Sequence, residues 1–171
     1  NNNLKTLGKL SIRDLEQYKG IGSVKAITIL AACELGKRRQ KATVEEAPIL
    51  NSAENIYQFM HTTIQDLDIE EGWVLMMKQN FRLIEAKRIS VGGLTMAPVD
   101  LRLMMKEVLL KNTTVLAFCH NHPSGSTNPS RDDDILTSHI HKACELLHIH
   151  FADHVILTDG GYFSYREEGK L

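Results

Sequence analysis

The segment from His120 to Asp133 contains residue types that bind transition metals. His120 and His122 stand at alternate positions directly after the apolar run Thr114 to Cys119. Because alternate side chains of an extended chain point to the same face, the two imidazoles can reach one point. The loop Pro123 to Pro129 then turns the chain. Asp133 falls in the first turn of a predicted helix, from which its carboxylate can point back at the histidines.

This donor set predicts a catalytic zinc site. Two nitrogens and one carboxylate oxygen leave the fourth tetrahedral position open for water, as in zinc hydrolases. We therefore predict one Zn²⁺ per chain, bound by His120, His122 and Asp133, and metal-assisted hydrolysis as the reaction.

A structural interpretation explains part of the same pattern. Ser130 can cap the predicted helix, with Asp133 as its capping-box partner, while the histidines are polar loop residues. This accounts for Ser130 and Asp133 but leaves two histidines at alternate positions unexplained. Capping and metal binding can also occur together.

Other metal-dependent classes fit the sequence less well. The letters His-Asn-His at 120–122 also name a nuclease motif, but the residues of that motif spread over a much longer segment. A zinc deaminase needs His-x-Glu followed by Pro-Cys-x-x-Cys, and the chain contains neither. Cys33, Cys119 and Cys144 are odd in number and form no Cys-x-x-Cys pair, which argues against a disulfide framework and a structural zinc site.

The composition predicts a soluble globular protein. A chain of 171 residues with 43% apolar residues can bury one substantial core and a small appendage. Its net charge of -1 provides no global attraction to nucleic acid, so any DNA contact would be local. Apolar runs too short for a bilayer and the polar start at 1–3 predict a cytoplasmic protein without membrane contact.

Hydrophobic periodicity predicts the helices and strands that must position the candidate ligands. The continuous apolar run Thr114 to Cys119 is typical of a central strand covered on both faces, and it leads directly to His120. Ser52 and Ser130 are predicted N-caps. The other predicted strands are Trp73–Met77, Phe81–Ile89, Val155–Leu157 and Tyr162–Tyr165, and the predicted core-facing helix positions are Ile56, Phe59, Met60 and Ile64, then Leu101, Met104, Met105, Val108 and Leu109, then Ile135, Ile140, Ala143 and Leu147.

The amino-terminal part is predicted to form a separate helical segment. Two helices, Ser11 to Tyr18 and Ser23 to Arg38, flank a glycine-containing turn, with each serine as an N-cap. The polar stretch Gln40 to Glu46 is typical of a linker. We therefore predict two domains, 1–46 and 47–171.

The sequence resembles a known family over nearly its whole length. HNHPSGSTNPSRDD is similar to the signature of the JAMM (MPN+) metalloproteases, and KGIGSVKAITILAACELGKRR, EEGWVLMM, RISVGGLT and DHVILTDGGYFSYREEG resemble the bacterial RadC family within that group. The resemblance implies an α/β fold of the JAMM/MPN type, cytidine-deaminase-like, with a mixed sheet flanked by helices. It also implies a small all-α helix-hairpin-helix segment ahead of this domain.

The resemblance also implies roles for single residues. It makes His120, His122 and Asp133 the zinc ligands, and it places Ser130 near the activated water or the developing oxyanion. An upstream glutamate acts as general acid and base, and Glu71 is assigned this role.

The choice of glutamate depends on register. Glu71 directly precedes the strand Trp73 to Met77, but a shift of one position would select the adjacent Glu70. Gly72 departs from the bulkier residue that the family pattern has there.

The pair Asp153-His154 resembles an element of the RadC family that can pack near the site.

The stretch KGIGSVKA resembles a helix-hairpin-helix motif. Such a motif would let the backbone amides at Gly20 and Gly22 approach a DNA phosphate, with Lys25 adding positive potential. Contacts of this kind would not depend on DNA sequence. The alternative is a helical cap that packs on the metal-binding domain.

Two functions follow as expectations. The first is a zinc metalloprotease that cleaves a peptide or isopeptide bond in a protein substrate. The alternative is a DNA-associated repair or binding module in which the JAMM fold is non-catalytic or recruits a partner.

Overall fold

The computed structural model describes residues 4–41, 47–92 and 99–171. Contacts divide the chain into two units, Asn1–Glu46 and Ala47–Leu171. Most of the predicted linker, residues 42–46, lies outside the described residues. Among the residues described, no helix is both long enough and apolar enough to cross a membrane.

The amino-terminal unit contains α1 (Leu4–Leu7), α2 (Ile12–Glu16) and α3 (Ser23–Lys41). Ser11 caps α2 through a capping box with Asp14, as the sequence predicted for Ser11. Ser23 differs from its prediction, because it is the first residue of α3 and not the cap. The carbonyl of Gly22 accepts the first helical hydrogen bond from Ala26, at 3.0 Å, so the cap position falls on Gly22.

The second unit is a mixed sheet with helices on both faces. In the described part of this unit, five strands follow the order β2-β1-β3-β4-β5, and among them only the β3–β4 pair is parallel. The predicted mixed α/β fold is confirmed. In chain order the elements are α4 (Ala53–Ile64), β1 (Glu71–Met77), β2 (Leu83–Val91), α5 (Leu101–Leu110), β3 (Val115–Asn121), α6 (Arg131–Leu146), β4 (His150–Thr158) and β5 (Gly161–Ser164).

The sheet separates two apolar cores. The α4-side core contains Ile56 and Met60 of α4 with Cys119 of the sheet, whereas the α6-side core contains Phe118 with Ile140 of α6. Every residue of β3 is buried, since it lies between β1 and β4 and is covered on both faces. Consecutive residues of β1 and β3 therefore contribute to opposite cores.

The hairpin between β1 and β2 begins its second strand later than predicted. Phe81 was expected to open that strand, but it lies in the turn with a φ of 61°. Its N–H donates to the carbonyl of Lys78 at 2.8 Å, and β2 starts at Leu83. The turn is thus longer than the three residues 78–80 that separate the two predicted strands.

The buried face of α6 matches only part of the apolar face that the sequence predicted. Ile135 and Leu147 are 45% and 40% exposed, and Leu109 of α5 is also exposed. The buried positions of α6 include the polar residues Asp133 and Thr137. Of the predicted positions, Ile140 is buried and Ala143 packs on the α6-side core. The face extends to Asp133 and Thr137 because these two residues contact the histidines.

Candidate metal centre

The carboxyl end of β3 presents two histidines on one face. His120 lies within β3, and His122 continues the extended chain because its N–H donates to the carbonyl of Leu157 at 2.9 Å. Alternation therefore holds through both positions. The Nε2 atoms of His120 and His122 are 3.0 Å apart.

The amino-terminal turn of α6 brings a carboxylate to the same point. Asp133 Oδ1 lies 3.2 Å from His120 Nε2, and Oδ2 lies 3.7 Å from His122 Nε2. One donor atom from each residue falls within 4.8 Å of the others. His120 and Asp133 are buried, and His122 is partly buried.

These distances match the edges of a metal coordination tetrahedron. Zinc–ligand bonds of about 2.0 Å give edges of about 3.3 Å in a tetrahedral site. The distances between donor atoms are 3.0, 3.2 and 3.7 Å. The three residues can therefore hold a metal ion and leave a fourth position free.

His122 is oriented by the backbone. Its Nδ1 lies 2.7 Å from the carbonyl oxygen of Ser126. Because a carbonyl can only accept, Nδ1 carries the proton and Nε2 offers its lone pair. The Asp133 carboxylate, which accepts a hydrogen bond from the protonated ring, raises the pKa of His122 despite the opposing effect of burial, and the charge of Glu70 adds to this rise.

His120 is oriented by a chain of side chains. The hydroxyl of Thr137 donates to the carbonyl of Asp133 at 2.6 Å, so its oxygen accepts from His154 Nδ1 at 2.5 Å. His154 Nε2 must then accept from His120 Nδ1, at 2.9 Å. His120 consequently directs an unprotonated Nε2 at the metal position.

His154 must be neutral for this chain to hold. It is fully buried, its ring stacks on Tyr165 at 4.8 Å between centroids, and the edge of Phe118 contacts it. Burial holds the pKa of His154 well below its usual value. The ring therefore remains a neutral link.

Asp133 takes part in both the helix cap and the histidine cluster. Its Oδ2 accepts from the backbone N–H and the hydroxyl of Ser130, each at 2.7 Å. Burial raises the pKa of Asp133, but hydrogen bonds to His120 and His122 outweigh it and hold that pKa well below its usual range. The capping interpretation and the ligand interpretation thus apply to the same side chain.

The Glu71 carboxylate is engaged away from this cluster. It accepts from Arg88 at 2.5 Å and from the Trp73 indole at 3.2 Å, and the residue is 4% exposed. Trp73 packs on the α4-side core, and alternation puts Glu71 on that same face. His120 lies on the opposite face, because it pairs with Gly72.

Sequence comparison assigns this fold and site to a family. The family model described as the RadC-like JAB domain matches residues 50–170. The chain belongs to the RadC family. The RadC-like domain therefore covers both histidines and the aspartate of the metal centre.

Relatives from this family match nearly the whole chain. A UPF0758 protein of Flavobacterium johnsoniae is 38% identical over 98% of this chain and 73% of its own length. UPF0758 proteins of Porphyromonas gingivalis and Rubrobacter xylanophilus are 34% and 36% identical, over 99% and 94% of this chain and 76% and 70% of their own lengths. Their names state no activity.

Of the predicted DNA-contacting residues of this RadC chain, Gly20 and Gly22 lie in the turn before α3, and Lys25 lies in the first turn of α3. Gly20 has a φ of +88°, and a Cβ at Gly20 or Gly22 would meet nothing within 4 Å. The ammonium of Lys25 donates to the carbonyl of Gly20 at 2.8 Å, so it also closes the turn. DNA contact through these residues stays a prediction.

Two residues of the RadC site were not assigned from sequence. Thr137 lies one helical turn after Asp133, a spacing that puts both on one face of α6. His154 was noted only for its resemblance to a family element, and the structure shows that it contacts His120. Its neighbour Asp153 accepts instead from Ser164 and from the backbone of Arg166.

Proposed function

We propose that this RadC-family chain is a metal-dependent hydrolase that cleaves a peptide or isopeptide bond in a protein substrate. The observation that carries the proposal is the convergence of His120, His122 and Asp133, with both histidines held in the tautomer that frees Nε2. An open fourth position beside such a set is typical of catalytic zinc sites.

The side chains supply a prepared ligand set for zinc. A bound zinc ion would lower the pKa of water and polarise the scissile carbonyl. His120 and His122 bind through neutral nitrogens, while Asp133 contributes one negative charge. Because backbone and side-chain hydrogen bonds fix all three residues, little reorganisation accompanies binding.

We propose Glu70, and not Glu71, as the general base. The Glu70 carbonyl accepts from Gly92 N–H at 2.7 Å, so the strand pairing extends to Glu70. Alternation then puts its side chain on the face of Gly72 and of its partner His120. The charge of Glu70 also contributes to the raised pKa of His122.

In this mechanism Glu70 moves protons at the reaction centre. Its carboxylate takes a proton from the attacking water and returns it to the leaving amine. Ser130 holds Asp133 in place through the capping box. The same proposal has the Ser130 hydroxyl turn its single proton from Asp133 Oδ2 to the developing oxyanion, while its oxygen still accepts from the N–H of Asp133.

Paired amide variants test this assignment. Glu70→Gln should retain bound zinc and lose about 10²- to 10⁴-fold in hydrolysis of quenched fluorescent peptide and lysine-isopeptide libraries, because the general base is gone. Glu71→Gln is the matched control, and we expect a smaller loss, through its contacts to Arg88 and Trp73. His120→Ala should lose the metal. Unchanged turnover in Glu70→Gln would remove the general-base role.

A further inference from the structure

Asn121 lies in the chain between the candidate ligands His120 and His122, and its side chain bonds to the backbone just before β1 and at its start. It is 3% exposed and lies at the end of β3. Its Oδ1 accepts from the backbone N–H of Glu71 at 2.8 Å, and its Nδ2 donates to the carbonyl of Ile69 at 2.9 Å. One side-chain amide therefore holds the backbone on both sides of Glu70.

These two bonds continue the sheet beyond its last backbone pair. The pairing of β1 with β3 ends at Gly72 and His120. Past that pair, the Asn121 side chain replaces a backbone partner for residues 69–71. An asparagine suits this position, since its amide donates and accepts within one short group.

Contacts on the next residue strengthen the same restraint. The Glu71 side chain is anchored by Arg88 and Trp73 on the α4 side of the sheet. With the backbone of Ile69 and Glu71 held by Asn121, rotation of this segment about the strand axis is opposed. Glu70 is thereby kept on the opposite face, the face of His120.

We propose that Asn121 is a positioning residue that sets the distance between Glu70 and the metal centre. The inference rests on the proposed role of Glu70. Because Asn121 joins His120 and His122 in the chain, it couples both ligands directly to the backbone that bears the base. A purely structural role, by contrast, would stabilise the end of β1 without affecting Glu70.

The test uses the full chain loaded with Co²⁺ and four variants. Asn121→Leu removes both hydrogen bonds at similar volume, Asn121→Asp keeps the acceptor and loses the donor, and Glu70→Gln removes the charge of the base. The fourth variant combines Asn121→Leu with Glu70→Gln. The readouts are Co²⁺ affinity by chelator competition and the pH midpoint of the change in visible absorption.

We expect the metal affinity of Asn121→Leu to equal that of the parent chain. Glu70→Gln should lower the pH midpoint by about 1 unit, because a nearby negative charge that disfavours deprotonation is removed. Asn121→Leu should lower it in the same direction, and the double variant should show no further shift, since both changes act through one carboxylate. Asn121→Asp should fall between the parent chain and Asn121→Leu.

The outcomes separate the inference from the proposed function. A shift in Glu70→Gln with none in Asn121→Leu overturns the positioning role and leaves Glu70 as the base. Reduced thermal stability of Asn121→Leu without a shift has the same meaning. No shift in either variant overturns both assignments.

Hydrogen exchange of the parent chain provides a test that needs no variant. The Glu71 amide should exchange slowly, because its proton is bonded to a buried Asn121 oxygen. Exchange as fast as in an open loop would overturn the contact even if every Asn121 variant failed to fold.

Discussion

The two histidines of the metal centre are oriented by different means. The Nδ1–H of His122 donates to a backbone carbonyl in the adjacent loop. The Nδ1–H of His120 donates to His154. His154 in turn donates to the hydroxyl of Thr137, and that hydroxyl donates to the carbonyl of Asp133. One ligand thus controls the tautomer of another through its own main chain.

Replacing Thr137 by valine should weaken the metal centre without changing a ligand. Thr137→Val keeps the side-chain shape but removes the hydroxyl that accepts the hydrogen bond from His154 Nδ1. His154 can then adopt the other tautomer. We expect a loss of about 10- to 100-fold in zinc affinity, measured by chelator competition.

Thr113 provides the matched control for this substitution. Its hydroxyl is also buried, and within the described part of the chain it has no hydrogen-bond partner. Thr113→Val should therefore leave zinc affinity unchanged. Equal affinities in the Thr137 and Thr113 variants would show that the hydroxyl does not control His120.

The sequence suffices to predict that the three candidate ligands converge, because they lie close together in the chain. His120, His122 and Asp133 are brought together by one strand end, one loop and one helix start, which local patterns reveal. Glu70 and Asn121 could not be assigned in this way. Their roles depend on the register between β1 and β3, and a one-residue change reverses which glutamate faces the metal centre.

At the level of elements, Gly72 marks a close approach between neighbouring strands. A Cβ at Gly72 would lie 2.4 Å from Ser90 Oγ and 3.0 Å from Phe118 Cζ. The departure from the family pattern at Gly72 thus has a steric reason, because Ser90 and Phe118 fill the space a larger residue would need. The strand that begins at Glu71 depends on this fit.

Gly72→Ala should destabilise the second unit. We expect the free energy of unfolding to fall by about 1–3 kcal/mol, as is typical of overpacked cores, measured by chemical denaturation. Ser90→Ala in the same chain should restore part of the loss, because it removes the nearer clashing atom. Ser90 Oγ has no hydrogen-bond partner among the described residues, so its removal costs little. A Gly72→Ala chain as stable as the parent would contradict this steric account.

Strand and helix positions could largely be predicted, but the inward face of α6 could be predicted only in part. The apolar run of β3 indicated a central strand, and the structure has it there. In α6 apolar periodicity identified Ile140 and Ala143 but missed the buried polar positions Asp133 and Thr137. The chemistry of the site, together with hydrophobicity, decides how this helix is turned.

At the scale of the molecule, zinc and protons compete for His122, so the stability of the second unit depends on both. The raised pKa of His122 means that its protonated form stabilises the metal-free unit below the usual histidine pKa, and this contribution is lost as pH rises through the raised value. Zinc needs the neutral ring. Both effects make zinc more stabilising at higher pH.

Zinc at about 100 times its Kd should stabilise the unit Ala47–Leu171 by about 2.7 kcal/mol near neutral pH. We expect this increment to shrink as pH falls toward and below about 6.5, where His122 holds its proton. Hydrogen exchange of the full chain measures it, with slower exchange in β3 and α6. The helix α3 is the internal control, and its exchange should not respond to zinc. An increment independent of pH would contradict the role of His122.

The shared use of Asp133 bears on how this family can change over time. A descendant that lost the proposed hydrolysis would still need Ser130 and Asp133 to start α6, so selection for folding alone would preserve both. His122 is under no comparable demand, because its ring serves the metal centre and not the core. In relatives that lost the proposed activity, we therefore expect His122 to be substituted before Ser130 or Asp133.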